Sequence, residues 1–133
     1  MREGKFSKKV VMQLESQTAF IINLHGHMMQ KSGLPDLEII HRRWTGFLEL
    51  KCEKRKATVL QRNVAKKIKL RGTPAFVLRC VERSVETPQG NRWLIGENLY
   101  TYTIENFEKD IYVIKTFNNL CLLLDILVEL NNQ

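Results

Sequence analysis

The sequence predicts a small α/β domain, a mixed central β-sheet flanked by helices, and three observations lead there. Helical periodicity occupies three separate stretches, 7–30, 58–71 and 119–131. Short runs that alternate, or that are apolar throughout, lie between them at 37–40, 44–52, 75–82 and 111–117. The chain has 133 residues, 44% of them apolar, which suffices for one buried core and one domain.

The first helical stretch places Val11, Leu14, Thr18, Ile21, Ile22, His25 and Met29 on one period. Gly26 weakens its last turn, and Ser32, Gly33 and Pro35 stop it. A short strand at 37–40 follows the proline, and His41-Arg42-Arg43 reads as a hairpin turn. In the strand at 44–52, Leu48 and Leu50 face one side while Phe47, Glu49 and Lys51 face the other. Lys54-Arg55-Lys56 is a basic loop. The second helix has Val59, Leu60, Val64, Ile68 and Leu70 as its apolar positions, with Gly72 as its cap and Pro74 as its stop. The run at 75–82 is largely apolar and therefore central.

Residues 84–105 hold Pro88, Gly90 and Asn91 and read as a hairpin insertion, with short strands at 93–95 and 99–104. The closing stretch 119–131 carries a leucine stripe (Leu120, Leu123, Leu124, Leu127, Leu130) widened by Leu122, Ile126 and Val128. A helix this apolar is either sandwiched in the core or shared with a partner chain. No internal repeat is visible, and the whole of 1–133 is expected to be one domain.

Charge is unevenly spread. The net is +7 overall, +11 over residues 1–83 and −4 over 84–133, and the segment 42–71 alone is +9. A field this concentrated attracts phosphate backbones, although a solvated basic face has the same composition. Cys52, Cys80 and Cys121 are far apart and form no C-x-x-C pair, so they read as reduced, buried thiols and not as a zinc site. No apolar run is long enough for a transmembrane helix. The basic N-terminus lacks the apolar segment of a secretory signal. No membrane partner is expected, and a cytoplasmic, nuclear or infected-host-cell location is.

Two patterns carry chemistry. Pro35-Asp36 opens one strand, and Glu49-Leu50-Lys51 lies in the next. Glu49 and Lys51 share a face, about 7 Å apart along the strand. If the two strands pair as a hairpin, a bend or bulge brings Asp36 to the same edge. Two converging carboxylates repel, and a hard divalent cation relieves the repulsion by accepting their oxygens. A lysine beside that cation supplies charge where negative charge develops, or positions an attacking water. This is equipment for phosphodiester hydrolysis with Mg2+ or Mn2+. An exposed Glu-Lys pair on a half-buried strand is the plainer reading of the second motif alone.

Taken together, Leu14-Glu15-Ser16-Gln17, Gly33-x-Pro35-Asp36-Leu37, Gly46-Phe47-Leu48-Glu49-Leu50-Lys51, Leu60-Gln61 and Gly72-x-Pro74 resemble the PD-(D/E)XK nuclease superfamily. The likeness is strongest to its small virus-type replication-repair (VRR-NUC) and Holliday-junction-resolvase-like branch, and it covers about half of the chain. The resemblance implies a restriction-endonuclease-like core. It implies that Asp36, Glu49 and the main-chain carbonyl of Leu50 hold the metal, and that Lys51 is the catalytic lysine. It also implies that Glu15 reaches the site from the first helix, directly or through water, and that Gln61 sits beside the lysine. The segment 83–110 is longer than that core requires.

Lys54, Arg55, Lys56, Arg62, Lys66 and Lys67 follow directly on the Glu49–Lys51 strand and are expected to line the same cleft and hold phosphates. Arg42 and Arg43 lie at the other end of that strand. His25 and His27 are two apart on a helix and share no face, so packing is the better reading. His41 sits near the turn, where a phosphate contact is one reading. Trp93 and Tyr100 suit core packing better than base stacking.

The expected function is a metal-dependent DNA endonuclease, structure-selective for branched DNA such as four-way junctions, viral or phage-like, and working as a homodimer. The alternatives are a restriction or repair nuclease with another duplex substrate, a non-catalytic basic nucleic-acid-binding module, and a partner-binding protein that docks through 119–131.

Overall fold

The structure is a computed structural model and describes residues 1–24, 32–82, 84–87, 90–93, 100–107, 111–114 and 120–131. Helix α1 (Glu3–Ser16) carries Phe6, Val10 and Leu14 at a spacing of four, all three fully buried. Its end is a Schellman motif. The Ala19 N–H donates to the Leu14 carbonyl at 3.0 Å, and the Thr18 N–H donates to the Glu15 carbonyl at 3.1 Å. Thr18, at φ 71°, fills the left-handed position that glycine usually holds.

Beyond Thr18 the chain runs straight into strand β1 (Phe20–Asn23). The expectation of a single helix over 7–30 is thereby corrected. The helix starts at Glu3 and stops at Ser16, and the aromatic and β-branched run Phe20-Ile21-Ile22 takes the pleated form that suits it. His25, His27, Met28 and Met29 lie outside the described residues.

Strands β2 (Leu37–Ile40) and β3 (Thr45–Cys52) form the expected hairpin, closed by the His41 N–H donating to the Trp44 carbonyl at 2.9 Å. Helix α2 (Val59–Leu70) carries the chain over to β4 (Ala75–Glu82), which lies parallel to β3. Two short strands, β5 (Ser84–Thr87) and β6 (Gly90–Trp93), pair only with each other in a separate ribbon. Strand β7 (Tyr100–Glu105) returns antiparallel to β4, and β8 (Ile111–Ile114) closes the far edge. The six-stranded order is β1-β2-β3-β4-β7-β8, mixed because only the β3–β4 pair is parallel. Helix α3 (Leu120–Asn131) completes the chain.

The helices sort the sheet into two faces. Phe6, Val10 and Leu14 of α1 and Leu120, Leu124 and Leu127 of α3 share one core with Leu37, Leu48, Leu50, Leu78 and Ile104. Each such side chain contributes roughly 1.5–3 kcal/mol on burial. Of the two readings of 119–131, α3 takes the sandwiched one, since its Leu120, Cys121, Leu124, Leu127 and Val128 are all buried. The opposite face carries Glu49, Lys51 and Arg79 and meets α2. Tyr100 packs at 6.3 Å from the Tyr102 ring, in line with the core role expected of it. The side chain of Trp93 lies outside the described residues.

Cys52, Cys80 and Cys121 are free and buried, and burial pushes the Cys80 and Cys121 thiols up to about 12 and about 11. They stay protonated and unreactive near neutrality. Gly33, at φ +84°, lies against α2 so closely that a Cβ there would fall 2.7 Å from Leu60 Cγ.

Thr18 carries a conformation that glycine adopts without penalty. Thr18→Gly is expected to stabilise the chain by about 1 kcal/mol. The measurement is a higher urea midpoint at unchanged slope; a lower midpoint would show that the threonine side chain contributes more than its backbone costs.

Candidate active site

The site forms where β2 begins and β3 approaches its end. Leu37 pairs with Leu48 in the antiparallel register, so the next position sets Asp36 opposite Glu49, on the same face. The chain bends at Asp36. Its Oδ2 accepts the Leu50 N–H at 2.7 Å, so a carboxylate takes the place of a ladder carbonyl. Its main-chain carbonyl accepts the Leu24 N–H at 2.9 Å, tying the same residue to the chain leaving β1. An extended residue sends its N–H and C=O to the same edge, so the Leu50 carbonyl also faces the Asp36 edge.

Glu49 is 2% exposed. Its Oε1 receives two cationic or amide donors, Lys51 Nζ at 3.5 Å and Gln61 Nε2 at 3.2 Å. Gln61 is not free to turn. It is the third residue of α2, and its Oε1 accepts the Thr58 N–H at 2.9 Å while its own N–H donates to Thr58 Oγ1 at 3.1 Å. This capping box starts the helix. It also fixes which end of the amide faces the carboxylate. One side chain thus serves both the helix terminus and the site.

The Glu49 pKa is raised from 4.5 to about 8, first by burial and then by the charge and direct carboxyl contact of Asp36, with Lys51 working the other way. Glu49 Oε2 is buried and, apart from the carboxyl contact with Asp36, meets no hydrogen-bond partner among the described residues. A buried acceptor without a donor, beside a second carboxylate, is what a hard cation satisfies. Asp36, Glu49 and the Leu50 carbonyl therefore fit a divalent ion. The described residues contain no cluster of three or more acidic, histidine or cysteine side chains poised for a metal, so a main-chain oxygen and water would complete the set.

Of the residues named from sequence, the structure brings Asp36, Glu49, Leu50, Lys51 and Gln61 together. It does not bring Glu15. That side chain is exposed on the last turn of α1, and the α1 residues that reach the edge are Glu3, Gly4 and Ser7, which line a small open cleft with Asn23, Asp36 and Leu50. Twelve helical residues separate Glu15 from Glu3, about 18 Å along the axis. Glu3 was missed because the helix was expected to begin at residue 7. Its Oε1 lies 3.4 Å from Arg55 Nη1, an exposed contact.

Lys54, Arg55 and Lys56 are exposed just beyond β3, and Arg62, Lys66 and Lys67 are exposed along α2 after Gln61. Arg42 and Arg43 lie at the far end of β3, roughly 25 Å away by strand rise, and Arg43 is 3.8 Å from Glu129. His41 is also at that end, its Nδ1 3.2 Å from Asp125 on α3, where the Trp44 indole N–H also bonds. It has no place in the cleft. Thr58 was missed as a site-shaping residue, although Thr-x-x-Gln is a legible capping-box signature.

This is the restriction-endonuclease-like fold, an α/β core with a mixed sheet flanked by helices. The solved Holliday junction resolvase of the archaeal hyperthermophile Archaeoglobus fulgidus has a similar structure, with a TM-score of 0.53 and 12% identity over 84% of this chain and 86% of that one. At that identity the likeness shows a shared fold. No protein-family profile matches the chain, and no curated protein matches it by sequence.

Two outcomes follow. Without metal, folded Glu49 keeps its proton up to about pH 8 while the unfolded chain loses it near 4.5. The folded state binds more protons across that window, so stability is fully present below 4.5 and falls as pH rises through about 8. Glu49→Gln is expected to flatten that fall, an effect on the order of a few kcal/mol, in metal-free urea titrations at pH 5 and pH 8.5. Equal slopes in both proteins would place the Glu49 carboxyl in water. Separately, Thr58→Ala is expected to cost about 1 kcal/mol of stability, while Thr58→Ser keeps the wild-type midpoint; a neutral alanine would mean that the capping box does not hold.

Proposed function

We propose that the chain is a divalent-cation-dependent nuclease that hydrolyses DNA phosphodiester bonds, with branched DNA such as the four-way junction as its preferred form. The observation that carries this reading is buried Glu49 beside half-buried Asp36 at a strand end, with Lys51 and Gln61 both directed at one Glu49 oxygen. Asp36, Glu49 and the Leu50 carbonyl would hold the ion. Bound there, Mg2+ or Mn2+ supplies Lewis acidity to the phosphate oxygens.

The remaining work falls to the chain itself. Lys51 places an ammonium beside the carboxylate pair, where it stabilises developing negative charge and orients the attacking water. Gln61 keeps the Glu49 carboxylate turned toward the edge. Lys54, Lys56, Arg62, Lys66 and Lys67, with Arg55 beside Glu3, hold phosphates on either side of the scissile bond and set position more than sequence.

Branched DNA is favoured by the structural similarity to a Holliday junction resolvase. A homodimer would place two sites across a two-fold axis, as cutting two strands of a junction requires. The motif set around Asp36, Glu49 and Lys51 favours a place in the virus-type replication-repair branch, with a viral or phage role. A perturbed, buried Glu49 carboxyl beside Asp36 favours a catalytic site over a module that only binds nucleic acid.

A panel of labelled flap, splayed-arm, four-way-junction and linear duplex DNA, incubated with Mg2+ or Mn2+, tests the reading. Cleavage is expected, strongest on a branched form. Glu49→Ala and Lys51→Ala are each expected to lower the rate by about 10²–10³-fold or more, with DNA binding retained. Tight binding without cleavage of any form under Mn2+ would leave a non-catalytic binder instead.

A further inference from the structure

Arg79 was not singled out by the sequence, and its position on β4 is informative. It pairs in register with Lys51 and lies on the same face of the sheet. Its guanidinium is held on two sides. Nε and Nη2 donate to Glu105 Oε1 and Oε2 on β7, each at 3.2 Å, a bidentate fork. Nη1 donates to the Glu53 carbonyl at 2.9 Å and to the Arg55 carbonyl. Four of its five N–H donors are therefore used inside the protein. With its side chain only 16% exposed, Arg79 has little left for a phosphate.

What it holds is the turn that leaves the Glu49–Lys51 strand. The Arg55 N–H donates to the Cys52 carbonyl at 3.4 Å, and Glu53 inside the turn sits at φ 56°, which a glutamate rarely adopts. The surroundings over-determine that conformation. The Glu53 N–H donates to the Cys80 carbonyl at 2.8 Å, and Glu53 Oε1 accepts the Glu82 N–H at 3.0 Å. Every one of these anchors comes from β4. They make the path of residues 53–55 a property of β4, and Lys54, Arg55 and Lys56 are carried on that path with their side chains exposed.

We propose that Arg79 is the positioning residue of the nucleic-acid grip. Fixed by Glu105, it holds two main-chain carbonyls of the turn so that Lys54, Arg55 and Lys56 meet the phosphate backbone as one preformed set. It acts through those cations and does not touch the substrate. The proposal rests on the nucleic-acid-binding reading above. Lysine at 79 keeps the charge but presents a point ammonium in place of the fork, so it cannot hold the carboxylate and both carbonyls together.

The test is Arg79→Lys, with Glu105→Gln as a second variant that keeps the cation but loosens its fork. Binding of a labelled four-way junction and a labelled duplex is measured in EDTA across a salt series, and KM and kcat are measured with Mg2+. For Arg79→Lys, Kd is expected to rise about tenfold at fixed salt. The slope of log Kd against log salt should fall by about two, the signature of roughly two lost phosphate contacts. KM should rise while kcat keeps more than half its value. Should Arg79→Lys fail to fold, Glu105→Gln is expected to show the same pattern at about threefold. Affinity and salt slope equal to wild type in the folded variants overturn the proposal alone. A wild-type protein without affinity for either DNA overturns the functional reading and this proposal with it.

Discussion

Asp36 and Glu49 stand opposite one another in the β2–β3 register, and Glu49 is out of water. Burial, and after it the charge of Asp36, disfavours the ionised form of Glu49 in the metal-free protein and displaces its pKa upward to about 8. The neighbourhood is arranged to hold the pair in spite of this. The Leu50 N–H fixes Asp36, the Gln61 amide and Lys51 ammonium fix one Glu49 oxygen, and the capping box fixes Gln61. Glu49 Oε2 accepts no hydrogen bond from the described residues.

Strand β3 makes this possible because its two faces have different tasks. Leu48 and Leu50 anchor it in the core that α1 and α3 cover, so the strand cannot slip register without moving leucines to the wrong face. Glu49 and Lys51, one residue out of phase, are then committed to the α2 side. The parallel β4 extends the polar row with Arg79, and β7 closes it with Glu105. Chemistry and stability share one backbone and are separated by side-chain alternation.

Much of this was legible in the sequence. The alternation in 44–52 assigned the faces of Glu49 and Lys51 correctly, and the turn residues at 41–43 placed the hairpin that carries Asp36 to them. Helix α2 was placed correctly and ends at Gly72, which holds the left-handed cap at φ +83°, but its expected apolar face was not found as drawn: Val59, Leu60 and Leu70 are exposed, and Ala65 is the residue it buries fully. The N-terminal region was not. Thr18 performs the same capping task without glycine, so nothing in the composition marked the end of α1, and β1 was absorbed into a helical pattern. Glu15 was placed at the site by the family resemblance alone, and Glu3 lay before the expected start of the helix. The Arg79 clamp was illegible for another reason: its partners, Glu53, Arg55 and Glu105, are distant in sequence and two of them contribute main-chain atoms.

The central claim is that Asp36, Glu49 and the Leu50 carbonyl converge on one cation. Diffraction from crystals grown with Mn2+, recorded at the manganese absorption edge, addresses it most directly. The account predicts an anomalous peak within about 2.0–2.6 Å of an oxygen from each of the three residues. A peak elsewhere, or Asp36 and Glu49 ordered on opposite faces of the sheet with no ion between them, would contradict it.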